Sequence, residues 1–241
     1  MMAGLVGFCG SRALPVSAAD SALVAGVVGS VLAAVPRRGV AVGCAIGGDA
    51  LVVSSVLALG ASSRLRAFAA FGPVSPPASL PAARVFAPGA SSSISSVSGV
   101  AVALAAGASV SWWAGGGPSV HLAGRLASRS AALVSAVAAS GAGRGFVGFV
   151  SSPCPAGFGP SSIPSACFSG SGSRSWASLA LAAGLGLPVV VFPVGAMASA
   201  GSVDALPTSW GSWAPLASSG YGSAWSGGFR LAPASPTLFS G

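Results

Sequence analysis

The stretch "VGFCGSR", residues 6–12, sets an apolar run against a turn of small residues that ends in an arginine. Its reading decides the fold. If "LVGFC" (5–9) is a buried strand, the turn "CGSR" delivers the chain into a helix, and residues 17–35 supply one. They are rich in Ala and Val and begin near Ser17, with Asp20 in the first turn, where the helix dipole favours a negative charge. The pattern then repeats. "GVAVGC" (39–44) is a second strand, "AIGGDA" a second glycine turn, and residues 49–60 a helix that stops at Gly60.

The alternation continues along the chain. "RLRAFAAF" (64–71) reads as a strand and residues 72–98, rich in Pro and Ser, as a loop or insertion. A short helix over 99–106, a strand over 108–113 ("ASVSWW") and a helix over 119–140 follow. Then come a strand at 145–150, a loop over 151–174, a helix over 175–185 and a closing strand over 188–192, "PVVVF". Repeated strand–turn–helix units predict an α/β fold, Rossmann-like and doubly wound, with a mostly parallel sheet and helices on both faces. One domain spans residues 1–195. Residues 196–241, rich in Gly, Ser, Pro and Trp, lose the periodicity and read as a tail of low order.

Composition narrows the function classes. The 241 residues carry 6% charged side chains and 53% hydrophobic ones. Soluble domains usually carry roughly 25% charged residues. All eleven basic residues are arginines, and Lys, Glu, Asn and Gln are absent. Nearly every amino acid with adenine at the middle codon position is missing or scarce; His121, Tyr221 and three aspartates remain. That signature points to pressure on the DNA, and it also fits a frame that encodes no working protein, whose purified chain would lack cooperative unfolding. The net charge of +8 suggests a polyanion partner, but the arginines are dispersed and part of the excess reflects lost acids. Cys9, Cys44, Cys154 and Cys167 show no CxxC spacing and His121 is the lone imidazole, so no metal site is expected. The cysteines read as small buried hydrophobes in a reducing compartment, with a Cys154–Cys167 bridge left open.

A membrane span is not expected. Residues 22–35 fall short of the about 20 apolar residues a span needs. Residues 175–203 are long enough, but Gly184, Gly186, Pro188 and Pro193 divide them into a helix and a buried strand. No basic start precedes the first apolar run, which argues against a signal peptide. The expected setting is the cytoplasm.

Open parallel sheets bind ligands beyond the carboxyl ends of their strands, where backbone N–H groups at helix starts hold phosphate. Three small-residue turns fall at such places. Gly10 and Ser11 offer an amide and a hydroxyl, and Arg12 a guanidinium suited to phosphate. Gly47 and Gly48 permit close approach of backbone or ligand, beside Asp49, which either caps the next helix or shapes the site. Gly170, Ser171, Gly172 and Ser173 form the third cradle. Arg125 and Arg129, four apart, share one helix face; Arg125 is the one assigned to the pocket. His121 reads as structural or surface. Of Trp112 and Trp113, one packs in the core and the other lines a pocket where a base can stack.

The order of these motifs resembles the SLOG superfamily, the Rossmann-like group that includes the LOG phosphoribohydrolases and the DprA/Smf proteins. The resemblance rests on "GFCGSR", on "VAVGCAIGGDALVVSSVLALG", on the Arg125 helix and on "GSGSRSWASLALAAGLGLPVVVF", and covers residues 5–194. It implies a nucleotide-binding domain. LOG enzymes follow their last glycine loop with a glutamate needed to cleave the base–ribose bond; here that region reads "SRSWAS". The implied function is therefore binding of a nucleotide or nucleotide-derived ligand by a non-catalytic sensor, with no cofactor. DprA-like binding of single-stranded DNA, hydrolysis of a nucleoside monophosphate and assembly as a homodimer are the alternatives the resemblance leaves open.

Overall fold

The computed structural model describes residues 4–12, 14, 17–72, 97–169, 173–199, 203–216 and 222–232. Strand β1 (Leu5–Gly10) leads to helix α1 (Ala18–Ala34), then β2 (Gly39–Val42), α2 (Gly48–Ala58) and β3 (Leu65–Phe68). Helix α3 (Val97–Ala105), β4 (Ser109–Ser111), α4 (Leu122–Ala138) and β5 (Gly145–Val150) follow. The short α5 (Pro164–Cys167), α6 (Arg174–Gly184), β6 (Val189–Pro193), the short α7 (Ala196–Ser199), β7 (Ser212–Pro215) and β8 (Phe229–Ala232) complete the order. The expected α/β class is observed, as are the strands and helices expected up to β6; α5 within the expected 151–174 loop, and α7, β7 and β8 beyond the expected closing strand, are additions. Most of the predicted insertion, residues 73–96, lies outside the described residues.

The sheet has eight strands in the order β4-β3-β2-β1-β5-β6-β8-β7. The six strands from β4 to β6 are parallel, and the chain reverses its direction of travel between β1 and β5. That reversal leaves a crevice at the carboxyl ends of β1 and β5, the place where sheets of this kind hold ligands.

Alternation along the strands explains the two layers. Val6 and Phe8 of β1, Val40 and Val42 of β2, and Val147 and Phe149 of β5 point to one face and pack on α1 and α2. Leu5, Ala41, Phe146 and Val150 point to the other and pack on α4 and α6. The helices answer with their own periodicity: Val24, Val27, Val28 and Val31 of α1 are buried, as are Leu126, Leu133, Val134 and Val137 of α4. Ser17 caps α1 by accepting from the Asp20 amide at 3.0 Å, as its sequence position predicted.

Several arginines serve the scaffold. Arg64 donates to the carbonyls of Leu32, Val35 and Arg38 at 2.8, 3.0 and 2.8 Å, closing the C-terminal end of α1. Arg144 donates to the Ser140 carbonyl beyond α4 at 3.2 Å. Such contacts satisfy orphan carbonyls and oppose the negative helix end, so part of the net positive charge has a structural use.

The tail expectation is corrected. Residues 203–216 and 222–232 are ordered: β8 pairs antiparallel with β6, and β7 with β8, extending the sheet past "PVVVF". The cause is aromatic burial. Trp210 and Trp213 are buried, Trp210 packs edge-on against the fully buried Trp176 with ring centroids 5.6 Å apart, and Trp225 packs on Phe192 at 5.8 Å. Indole groups bury large areas and offset a poor local pattern. Residues 217–221 and 233–241 lie outside the described residues.

Where the turns after β1 and β2 meet, the backbones touch. A Cβ on Gly10 would stand 2.5 Å from the Gly48 Cα, and one on Gly48 would stand 2.5 Å from the Gly10 Cα. Gly47 lies at φ +82, a conformation that favours glycine. Gly48→Ala is expected to unfold the protein or lower its urea midpoint sharply, because overpacking against backbone costs at least about 1–3 kcal/mol. Ala50→Gly in the same helix is expected to cost only about 1 kcal/mol. Equal midpoints for the two variants would show that the crossing is not tight.

Candidate functional site

A cavity of about 430 Å³ opens at the β1/β5 reversal. Gly10, Ser11 and Arg12 from the end of β1, Gly43 and Ala45 beyond β2, Asp49 of α2, Arg129 of α4, and Ser173 and Arg174 at the start of α6 all line it. Turns from three separate crossover units therefore do converge. Gly170, Ser171 and Gly172, the centre of the third predicted cradle, lie outside the described residues.

The turn after β1 is held by its own chain. The Ser11 amide donates to the Phe149 carbonyl at 2.9 Å, prolonging the β1–β5 ladder, and the Ser11 hydroxyl accepts from Ser151 Oγ at 2.7 Å. The Ser11 carbonyl accepts from the Gly48 amide at 3.1 Å. Ser11 is thus a wall of the cavity, with an amide already used. Gly47 and Gly48 do not line the cavity; their small size is spent on the crossing of α2 over β1. What this arrangement leaves facing the cavity from the first turn is the exposed Arg12.

Asp49 does not cap α2 at its first position; Gly47 stands there. Its carboxylate turns inward, accepts from the Ala45 amide at 3.1 Å and meets Arg129 Nη1 at 3.4 Å, with both side chains almost fully buried. Gly43 makes room for the pair, since a side chain there would overlap the Arg129 guanidinium and the Asp49 carboxylate. Burial raises the Asp49 pKa above the usual carboxylate range, against the opposing pull of Arg129 and of the amides of Ala45 and Gly10. The Arg129 Nε is buried with no hydrogen-bond partner.

Arg129, and not Arg125, is the arginine of the α4 face that reaches the cavity. Arg125 donates to the Ala70 carbonyl at 3.4 Å and lies over the Trp113 ring, 5.5 Å from its centroid. Four residues along a helix advance more than one full turn, so the two side chains fall about 40° apart around the axis. Arg129 therefore points at the sheet and Arg125 at the loop beyond β4. Trp113 holds that loop at φ +49 and Trp112 packs on Phe71 at 6.1 Å; neither lines the cavity. His121 caps α4, its Nδ1 accepting from the Ala123 amide at 3.3 Å.

Arg174, the first residue of α6, was not singled out in the sequence, although it stands within "GSGSRS". Burial lowers its pKa, and so do the neighbouring charges of Arg12 and Arg129. Three guanidiniums thus crowd one space beside a single carboxylate. The first amides of α6 have no partner within the helix, and the positive end of the helix dipole adds to them. Cys9 also lines the cavity. Burial and the Asp49 charge raise its pKa well above that of a free thiol, and its Sγ donates to the Ser175 carbonyl at 3.6 Å, so it is a protonated wall group.

All four cysteines are free, which settles the Cys154–Cys167 pairing against a bridge in this structure. Among the described residues no group of His, Cys, Asp or Glu has the placement of a metal site, and no helix is long and apolar enough to cross a membrane.

No protein-family model, curated protein or solved structure matches the chain.

Proposed function

We propose that the cavity binds a nucleotide or nucleotide-derived phosphate ligand and that the protein acts as a sensor of it without transforming it. One observation carries the reading: Arg12, Arg129 and Arg174 converge on the N-terminal end of α6 beside the single carboxylate of Asp49. Like charges brought together in a partly buried space repel, and a phosphate placed among them relieves that repulsion while accepting charge-assisted hydrogen bonds. The volume of about 430 Å³ falls within the usual range for small-molecule sites, about 300–1,000 Å³. The motif order that resembles the SLOG superfamily agrees with this reading. The lining residues favour binding over hydrolysis: Asp49 is occupied by Arg129, and Cys9 is held protonated.

Titration with nucleoside monophosphates, followed by the rise in melting temperature, tests the reading, because a ligand that binds only the folded state stabilises it. Arg12→Ala and Arg174→Ala are each expected to weaken binding about 10-fold or more, as for loss of a hydrogen bond to a charged group. Arg12 is exposed, so its replacement should leave the melting temperature of the free protein nearly unchanged. The salt dependence should be shallow, since few phosphates are neutralised. A steep salt slope with single-stranded DNA, or release of a free base from the nucleotide, would overturn the sensor reading.

A further inference from the structure

A second cavity, of about 180 Å³, adjoins the first. The two share Ser173 and Arg174, so the start of α6 is a partition common to both. Their linings differ in kind. The first holds three guanidiniums and a carboxylate; among the described residues the second has Arg174 as its one charged group. It is otherwise walled by Phe158 and Phe168 from the 151–169 connection and by Ala123, Gly124 and Ala127 of α4.

We infer that the second cavity takes the flat aromatic base of the ligand whose phosphate lies in the first. This rests on the proposed phosphate site and specifies it further. Small side chains on α4 leave a gap against the two phenyl rings, and a planar heteroaromatic group can enter such a gap and stack. The guanidinium at the partition can serve both halves, pairing with an anion and lying against a π-face. The buried Arg129 Nε, unpartnered in the first cavity, marks where the anionic half belongs. The aromatic wall is fixed by the scaffold: the Phe158 carbonyl accepts from the Trp210 indole at 2.8 Å, and Phe168 packs against the core beside the buried Cys167. The connection after β5, which reads as plain loop in the sequence, is thus the element that selects the ligand.

The test compares inorganic phosphate, ribose 5-phosphate and adenosine and guanosine monophosphates on the full chain by calorimetric titration. It is repeated on Ala127→Trp and Ala123→Trp, which fill the second cavity from α4. Ala123 is exposed, so its variant keeps the question decidable if Ala127→Trp fails to fold. The nucleotides are expected to bind about 10-fold tighter than ribose 5-phosphate, the size of a base–aromatic stack. Each folded Trp variant should erase that advantage and leave ribose 5-phosphate binding within about 2-fold of the parent. Equal affinity for ribose 5-phosphate and nucleotides in the parent, or an advantage that survives in a folded Trp variant, overturns the base pocket while the phosphate site stands. Failure of every phosphate compound to bind overturns both.

Discussion

Arg129→Met is expected to cost about 3–5 kcal/mol of stability near neutral pH, as removal of one partner from a buried ion pair does. The Asp49 carboxylate would be left almost fully buried, with only the amide contacts opposing its desolvation. The loss should shrink on acidification. Asp49 already titrates above its ordinary range because burial dominates, and without Arg129 it would titrate higher still. The native chain then holds a proton that the unfolded chain releases above the ordinary carboxylate pKa of about 3.9. Stability is therefore greatest below that value and falls as pH rises through the native pKa. Asp49→Asn should behave differently. It strands a guanidinium that does not titrate, so its cost should not be relieved by acid. The double variant, with neither charge, should recover much of either single loss. Urea unfolding of the four proteins at about pH 5 and about pH 8 measures all of this. A loss of less than about 1 kcal/mol in Arg129→Met, the scale of an exposed pair, would show that the two groups are not buried together. Arg129→Met should also weaken phosphate binding, and the double variant should regain stability without regaining that binding, which separates the pair's role in the site from its role in the fold.

Trp210→Ala is expected to cost about 3–5 kcal/mol, the usual penalty for emptying a buried indole site. The Trp210 ring meets Trp176 edge-on at 5.6 Å and Trp213 at 6.2 Å, and its N–H bonds to the Phe158 carbonyl. Trp176 lies two residues beyond Arg174 on α6, and its own indole donates to the Ser152 carbonyl at 2.9 Å. One aromatic cluster thus ties the C-terminal segment, the connection after β5 and the first turn of the ligand-facing helix. Loss of Trp210 should lower phosphate affinity as well as the denaturation midpoint, although Trp210 does not line the cavity. Trp210→Phe, which keeps a ring but not the N–H, should cost less. A wild-type midpoint in Trp210→Ala would mean that the segment carrying β7 and β8 is not docked in solution.

The two results bear on the same design. The pair of Asp49 and Arg129 places one guanidinium at the sheet and offsets part of its charge; the tryptophan cluster places another at the head of α6. Between them Arg12 is exposed. Two of the three guanidiniums are thereby placed by contacts of the scaffold and the third faces solvent.

How much of this was legible in the residues depends on the range of the interactions. The strand–turn–helix alternation is a local property. Val6 and Phe8, Val40 and Val42, and Val147 and Phe149 alternate with residues of the opposite face, while Val24, Val27, Val28 and Val31 follow the helical period. Such periods follow from backbone geometry alone, so fold class and element order were readable from the chain. So was the convergence of Arg12, Asp49 and Ser173, because parallel crossovers bring the carboxyl ends of their strands to one edge. Tertiary structure decided the rest. Whether Arg125 or Arg129 faces the sheet depends on how α4 rotates against β1 and β5. Whether Gly10, Gly47 and Gly48 serve a ligand or a backbone crossing depends on how closely α2 approaches. Nothing within a few residues of Trp210 shows that it will meet Trp176, because burial of that kind is won only when distant parts of the chain exclude water together.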